Sequence, residues 1–225
     1  MIRAAVFDLD GTLADTPDVI GKLLVKVCAE QGRDVDAAAV APTIGKPLEA
    51  SVARLLGREV SDDGTVRAVA RYRELFDAEV LTLGSSLLYA DVAQGLRELR
   101  AQGVLLAVGT SKITASAEKV LDATGLRDLF DPVIGNDQVR HPKPDPEMGL
   151  LAATELGVPV EQCAYIGDTV TDMQMAKAAG MVPVAVTYGV GGREEMAQAG
   201  HEICHSFSAV VRTVLARVPA SPAGN

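Results

Sequence analysis

Short apolar runs alternating with amphipathic stretches constrain this 225-residue chain more than any other feature, because they specify a mainly parallel sheet covered by helices on both faces. Residues 3–9, 104–108, 131–134, 164–166 and 182–186 are the expected strands. Between and after them lie expected helices. Residues 91–102 put Val92, Leu96 and Leu99 on one stripe, with Asp91 as candidate N-cap and Gly103 as the stop. Residues 114–124 direct Ala117, Val120 and Leu121 inward and end at Gly125. Residues 146–156 begin with a proline and end at Gly157, 171–179 end at Gly180, and 207–216 turn Val210, Val211 and Val214 towards a core. The tail, 219–225, is expected to fray.

Residues 16–88 have a different grammar. Helical stripes dominate there, Leu23, Leu24 and Val27 forming one and Leu48, Val52, Leu55 and Leu56 another. Turn-prone segments, Asp15-Thr16-Pro17 and Gly84-Ser85-Ser86, flank them. The expected organisation is therefore an α/β core made of residues 1–15 and 89–225, interrupted by a helical insertion over 16–88.

Composition narrows the partners. Hydrophobic residues make up 48% of the chain, yet no apolar stretch approaches the ~20 residues of a membrane span. A formal charge of −9 with scattered lysines and arginines disfavours nucleic acid and acidic membranes, which reward a basic patch. Cys28, Cys163 and Cys204 have no metal or disulfide spacing and read as small buried residues of a reducing compartment. The chain runs from Met1 into a strand without a secretory pattern, so a cytoplasmic location is expected.

Four segments carry candidate chemistry. In Val6-Phe7-Asp8-Leu9-Asp10-Gly11-Thr12, strand alternation sends Asp8 and Asp10 to one side of a strand end, where open α/β sheets bind ligands. Such a carboxylate pair needs a compensating cation, and then offers a nucleophile or ligand and a proton carrier. A strand followed by an ordinary Asp-Gly turn has the same sequence. In Gly167-Asp168-Thr169-Val170-Thr171-Asp172, further carboxylates follow a strand, and Asp168 or Thr169 equally suits a helix N-cap with Asp172 at the positive end of the helix dipole. In Val108-Gly109-Thr110-Ser111-Lys112 a hydroxyl pair can hold a phosphate or cap a helix. In His141-Pro142-Lys143-Pro144-Asp145-Pro146 three prolines restrict the backbone around Lys143, giving an acidic site a fixed ammonium. His141, His201 and His205 read as structural or solvated.

With these segments in this order, the chain resembles the haloacid dehalogenase-like hydrolases over nearly its whole length, and within them the capped phosphoglycolate phosphatase-like branch. The resemblance implies a Rossmann-like core with residues 16–88 as a small helical cap domain. It implies that Asp8 attacks phosphorus to form an aspartyl-phosphate, and that Asp10 protonates the leaving oxygen and later activates water. Thr110 would hold the transferred phosphoryl group and Lys143 would neutralise it, with Ser111, Gly11 and Thr12 also at the substrate. Asp8, Asp168 and the backbone carbonyl of Asp10 would ligate Mg²⁺, with Asp172 orienting the ligands.

The same residues weigh the alternatives. Relatives that remove halide lack an acid at the position of Asp10, so dehalogenation is disfavoured. A phosphonatase would need a cap lysine, here Lys22, Lys26 or Lys46. A sugar phosphomutase shares the aspartyl-phosphate, but the Asp168 motif looks more like the phosphatase form. A non-catalytic binder would have no use for Asp10 as a proton carrier. Lys46, in the turn Gly45-Lys46-Pro47, is a candidate contact to the leaving group or a plain surface lysine. The expected partner is a small phosphate ester: phosphoglycolate, a sugar phosphate, or a nucleoside or C-nucleoside monophosphate. The protein is expected to act as a monomer or homodimer.

Overall fold

The computed structural model describes residues 1–191, 196 and 202–218; the expectations for His201 and for the tail 219–225 lie outside them. Six parallel strands form one sheet in the order β3-β2-β1-β4-β5-β6. They are β1 (Ala4–Phe7), β2 (Leu105–Gly109), β3 (Val133–Ile134), β4 (Cys163–Gly167), β5 (Val182–Val186) and β6 (Glu202–Cys204). β1 is central and wholly buried, which is why it carries no polar alternation. Its side chains separate by parity. Ala5 and Phe7 join one core cluster, whereas Ala4 and Val6 join the other on the opposite face.

The first face is covered by α5 (Val92–Ala101), α6 (Thr114–Thr124) and α9 (Phe207–Leu215), the second by α7 (Glu147–Leu156) and α8 (Val170–Ala179). Phe7 anchors the first face, its ring centroid 6.2 Å from that of Phe130 and 5.9 Å from that of Phe207. Val210, Val211 and Val214 point inward as their spacing predicts. Between β1 and β2 run α1 (Pro17–Glu30), α2 (Ala37–Val40), α3 (Leu48–Leu56) and α4 (Asp63–Leu75), followed by a π-helical turn, Phe76–Val80, and a 3-10 stretch, Leu81–Leu87. No described helix is long and apolar enough to cross a membrane.

Register positions the chemistry. Phe7 pairs with Val108 on one side and Ile166 on the other, so β1, β2 and β4 end level. Asp8, Thr110 and Asp168 therefore leave the sheet at the same edge.

Several boundaries differ from expectation for physical reasons. β1 stops at Phe7 because the Leu9 carbonyl accepts the amides of Leu13 and Ala14, each at 2.9 Å, closing a turn at once. Asp91 occupies the N-cap position of α5 at φ 65° but makes no capping bond, since its carboxylate accepts the Ser208 hydroxyl at 2.7 Å. β6 was not anticipated; three residues containing a glutamate carry too little apolar signal.

Gly95 marks the closest approach of α5 to α9, because a Cβ there would lie 2.7 Å from Val211 Cγ2 and 2.8 Å from Phe207 Cε1. Alanine gains about 0.5–1 kcal/mol of helix propensity at such a position, but overpacking costs about 1–3 kcal/mol. Gly95→Ala is expected to be destabilising on balance, seen as a lower urea midpoint with an unchanged m-value.

Candidate active site

At the level edge of β1 and β4 a lysine lies inside a ring of acids. Lys143 Nζ donates to Asp8 Oδ1 at 2.8 Å and to Asp172 Oδ1 at 2.7 Å, with only 3% of its side chain exposed. The Tyr165 ring lies beneath it, 5.1 Å from Nζ to the centroid, and the Tyr165 hydroxyl donates to the Gly109 carbonyl at 2.5 Å. Its burial takes Lys143 out of solvent although it lies in a loop.

Asp172 has both functions open to it from sequence. Thr169 is the N-cap of α8 and forms a capping box with Asp172, whose Oδ2 accepts the Thr169 amide at 3.0 Å while Oδ1 holds Lys143. Asp168 is not the cap. Its Oδ1 accepts the Thr12 hydroxyl at 3.3 Å and its Oδ2 accepts the Val190 amide at 2.7 Å. Gly11, at φ 86°, is required by this approach: a Cβ there would stand 2.2 Å from Asp168 Oδ2.

Carboxylate oxygens of Asp8, Asp168 and Asp172 fall within 4.8 Å of one another. Burial raises the Asp8 carboxyl well above its ordinary range, with Asp172 and Asp168 adding to the rise against the opposing pull of Lys143. Burial and then Asp172 raise Asp168 to about 7. Burial pulls the Lys143 ammonium down, but Asp172 and Asp8 outweigh it and its pKa also rises. Acid and base partners thus shift the same way. Three carboxylates face one ammonium, so the cluster is short of positive charge and takes up a proton or a cation. An all-oxygen donor set of this kind fits a hard divalent ion such as Mg²⁺.

Asp10 stands apart from that cluster. Thr16 Oγ1 donates to its Oδ1 at 2.6 Å and Lys112 Nζ pairs with its Oδ2 at 3.0 Å. Asp8 and Asp10 both open into a cleft of about 750 Å³, with Thr110, Ser111 and Lys112 from the core and Ile20, Leu24, Lys46, Tyr72, Arg73 and Phe76 from the helical segment. Lys46 is exposed at this cleft. Thr110 is buried, and its Oγ1 accepts the Lys112 amide at 3.3 Å. Gly11 and Thr12 are not among the lining residues, and the Thr12 hydroxyl serves Asp168. His141 is paired with Glu147 at 3.2 Å, and His205 Nδ1 bonds the Thr187 hydroxyl at 2.7 Å.

Sequence reasoning missed Thr16, Lys112, Tyr165 and Phe76. Lys112 lies within the segment 108–112, whose chemistry the sequence assigns to its two hydroxyls alone, and a tyrosine inside an apolar strand signals a buried hydroxyl seeking a partner. Nothing local marked Thr16 or Phe76.

A family model for haloacid dehalogenase-like hydrolases matches residues 5–186. "Probable phosphatase IndB" of Dickeya dadantii is 42% identical over 208 residues, covering 92% of this chain and 90% of that protein. A phosphoglycolate phosphatase of Rhodospirillum rubrum is 35% identical, covering 89% and 85%. Among solved structures, a haloacid dehalogenase-like hydrolase from Bacteroides fragilis superposes with a TM-score of 0.82 at 28% identity, covering 93% of this chain and all of that one (100%). The chain belongs to the haloacid dehalogenase-like hydrolase family.

The raised Asp168 carboxyl sets a pH signature. It moves from an ordinary 3.8 to about 7, so in metal-free protein its protonation stabilises the fold fully below about pH 4, and this is lost as pH rises through 7. Raising the pH from 6 to 8 without divalent ions is expected to cost on the order of 1 kcal/mol, a fall in Tm of a few degrees. Mg²⁺ should reduce that fall, as followed by differential scanning fluorimetry.

Proposed function

We propose that the protein is a Mg²⁺-dependent phosphomonoesterase that hydrolyses a small phosphorylated metabolite through an aspartyl-phosphate on Asp8. One observation carries this reading. Two carboxylates open into the same cleft with different partners, Asp8 held by Lys143 and Asp10 by Thr16 and Lys112. Different surroundings suit one to be nucleophile and the other to carry protons.

In this reading an Asp8 oxygen attacks phosphorus, and the ester oxygen departs as an alcohol with the proton of Asp10. Asp10 then takes a proton from the water that attacks the aspartyl-phosphate, releasing inorganic phosphate and regenerating Asp8. Thr110 and Ser111 donate to the phosphoryl oxygens, Lys143 balances the charge that collects on them, and Gly11 and Thr12 shape the turn beneath. Mg²⁺ would be held by Asp8, Asp168 and the Asp10 carbonyl, with Asp172 orienting them, and would supply charge neutralisation.

Residues 16–88 act as a cap over the core 1–15 and 89–225, and specificity belongs to their side of the cleft. Lys46 contacts the leaving group. The relatives named phosphoglycolate phosphatases support a small phosphate ester, with phosphoglycolate, sugar phosphates and nucleoside or C-nucleoside monophosphates as the substrates to screen. Free, buried Cys28, Cys163 and Cys204 suit a cytoplasmic enzyme.

Asp8→Asn is expected to lower phosphate release by about 10³-fold or more, and chelation of Mg²⁺ should abolish it; activity surviving both sinks the reading. Product analysis separates the neighbouring chemistry, since an isomeric phosphate accumulating in place of inorganic phosphate would indicate a mutase. Lys46→Ala is expected to raise KM for the preferred ester, and an unchanged KM across all active esters withdraws its role.

A further inference from the structure

We infer that Lys112 is a positioning residue that aims the Asp10 carboxyl, and that Phe76 of the helical segment holds Lys112 in place; this rests on the phosphomonoesterase reading above. A carboxyl group turns readily about its last bond, so a proton carrier needs both oxygens constrained. Asp10 has such constraints on each oxygen: Thr16 Oγ1 reaches Oδ1 at 2.6 Å and Lys112 Nζ reaches Oδ2 at 3.0 Å.

Lysine is a flexible choice for the second hold unless its own end is fixed. Lys112 is held at its backbone and at its ammonium. Its amide donates to Thr110 Oγ1 at 3.3 Å, and its ammonium lies 4.4 Å from the centroid of the Phe76 ring. With 13% of the side chain exposed, the ammonium is largely screened from water, where a cation over an aromatic face gains strength. Among the charges beside it, Asp77 pairs with Lys119 and Glu49 with Arg73. No ion pair joins Lys112 to Asp8, Asp168 or Asp172 among the described residues, so its charge is directed to Asp10 and away from the nucleophile's cluster.

Phe76 begins the π-helical turn after α4, whereas Asp10 and Lys112 belong to the sheet edge. Asp10 is therefore aimed in full only while the helical segment lies against the core. Ion pairing between Lys119 on α6 and Asp77, next to Phe76, ties the same turn to the core.

The test compares two esters. Departure of an alkoxide needs the proton of Asp10, while departure of p-nitrophenolate does not. For Lys112→Met, kcat/KM for an alkyl phosphate is expected to fall about 10- to 100-fold, against less than about 3-fold for p-nitrophenyl phosphate, the same bias as Asp10→Asn at smaller size. Lys112→Arg should restore most of the loss, and Phe76→Leu should show a smaller loss with the same bias. Equal losses on both esters would assign Lys112 to phosphate binding or to folding and overturn the inference, as would no loss at all. An unbiased Phe76→Leu overturns the link to the helical segment. Wild-type protein that hydrolyses none of the screened esters overturns the phosphomonoesterase reading itself, an outcome distinct from an active enzyme with an unbiased Lys112→Met.

Discussion

The Lys143 ammonium, buried between Asp8 and Asp172, is the contact on which the arrangement of the site depends. Removing a lysine and several carboxylates from water costs several kcal/mol per ion, and only near-ideal geometry repays it. That geometry comes from places far apart in the chain. Asp8 follows β1, Asp172 lies in the first turn of α8, and Lys143 sits in a proline-bounded loop between β3 and α7. The level ends of β1 and β4 bring the acids together, and the loop brings the base.

Even so the pair does not balance the site. Asp8 keeps a raised pKa despite its 2.8 Å contact with Lys143 because burial and the neighbouring carboxylates outweigh one ammonium. An acidic protein with formal charge −9 has no long-range positive field to help. Its anion-binding capacity must be built locally, from Lys143, from Lys112, and from whatever cation the carboxylates recruit. The close glycine contacts around Asp168 serve the same end. At Gly11 and Gly189 an added Cβ would stand 2.2 Å from Asp168 Oδ2 and from the Gly11 carbonyl oxygen respectively. Backbone approaches that close leave the carboxylate little room to rotate away from its neighbours.

What could be read from sequence follows the range of each interaction. Strand and helix positions in the core were legible because periodicity and glycine stops are local, and Gly125, Gly157 and Gly180 end α6, α7 and α8 in left-handed conformations as expected. Asp8, Asp168, Lys143 and Asp172 were legible because each sits in a short segment whose chemistry is unusual for a turn. β6 was missed because its pairing with β5 is decided by the sheet edge and not by its own three residues. Asp91 had the residue type of a cap, but its bond to Ser208 crosses 117 positions of chain. Thr16 and Phe76 illustrate the same limit inside the site. A threonine before a proline reads as a helix start, and a phenylalanine on an amphipathic helix reads as core; both descriptions are correct and neither reveals Asp10 or Lys112.

Asp8 and Asp10 are separated by a single residue, and local sequence treats them as equivalent carboxylates on one side of a strand end. The fold makes them different by assigning partners from opposite directions. The sheet edge supplies Asp8 with Lys143 and the acidic cluster, whereas Asp10 turns towards the helical segment and takes Thr16 at its entrance and Lys112 beneath Phe76. A group surrounded by other carboxylates and one ammonium is suited to be neutralised by a proton or a cation. Asp10, gripped by a hydroxyl and a lysine at the wall of a cleft, is the group to which the proposed function gives the proton transfers. The different surroundings of the two neighbouring aspartates thus come in part from the helical segment inserted between β1 and β2, which brings Thr16 to Asp10 and Phe76 to the core residue Lys112.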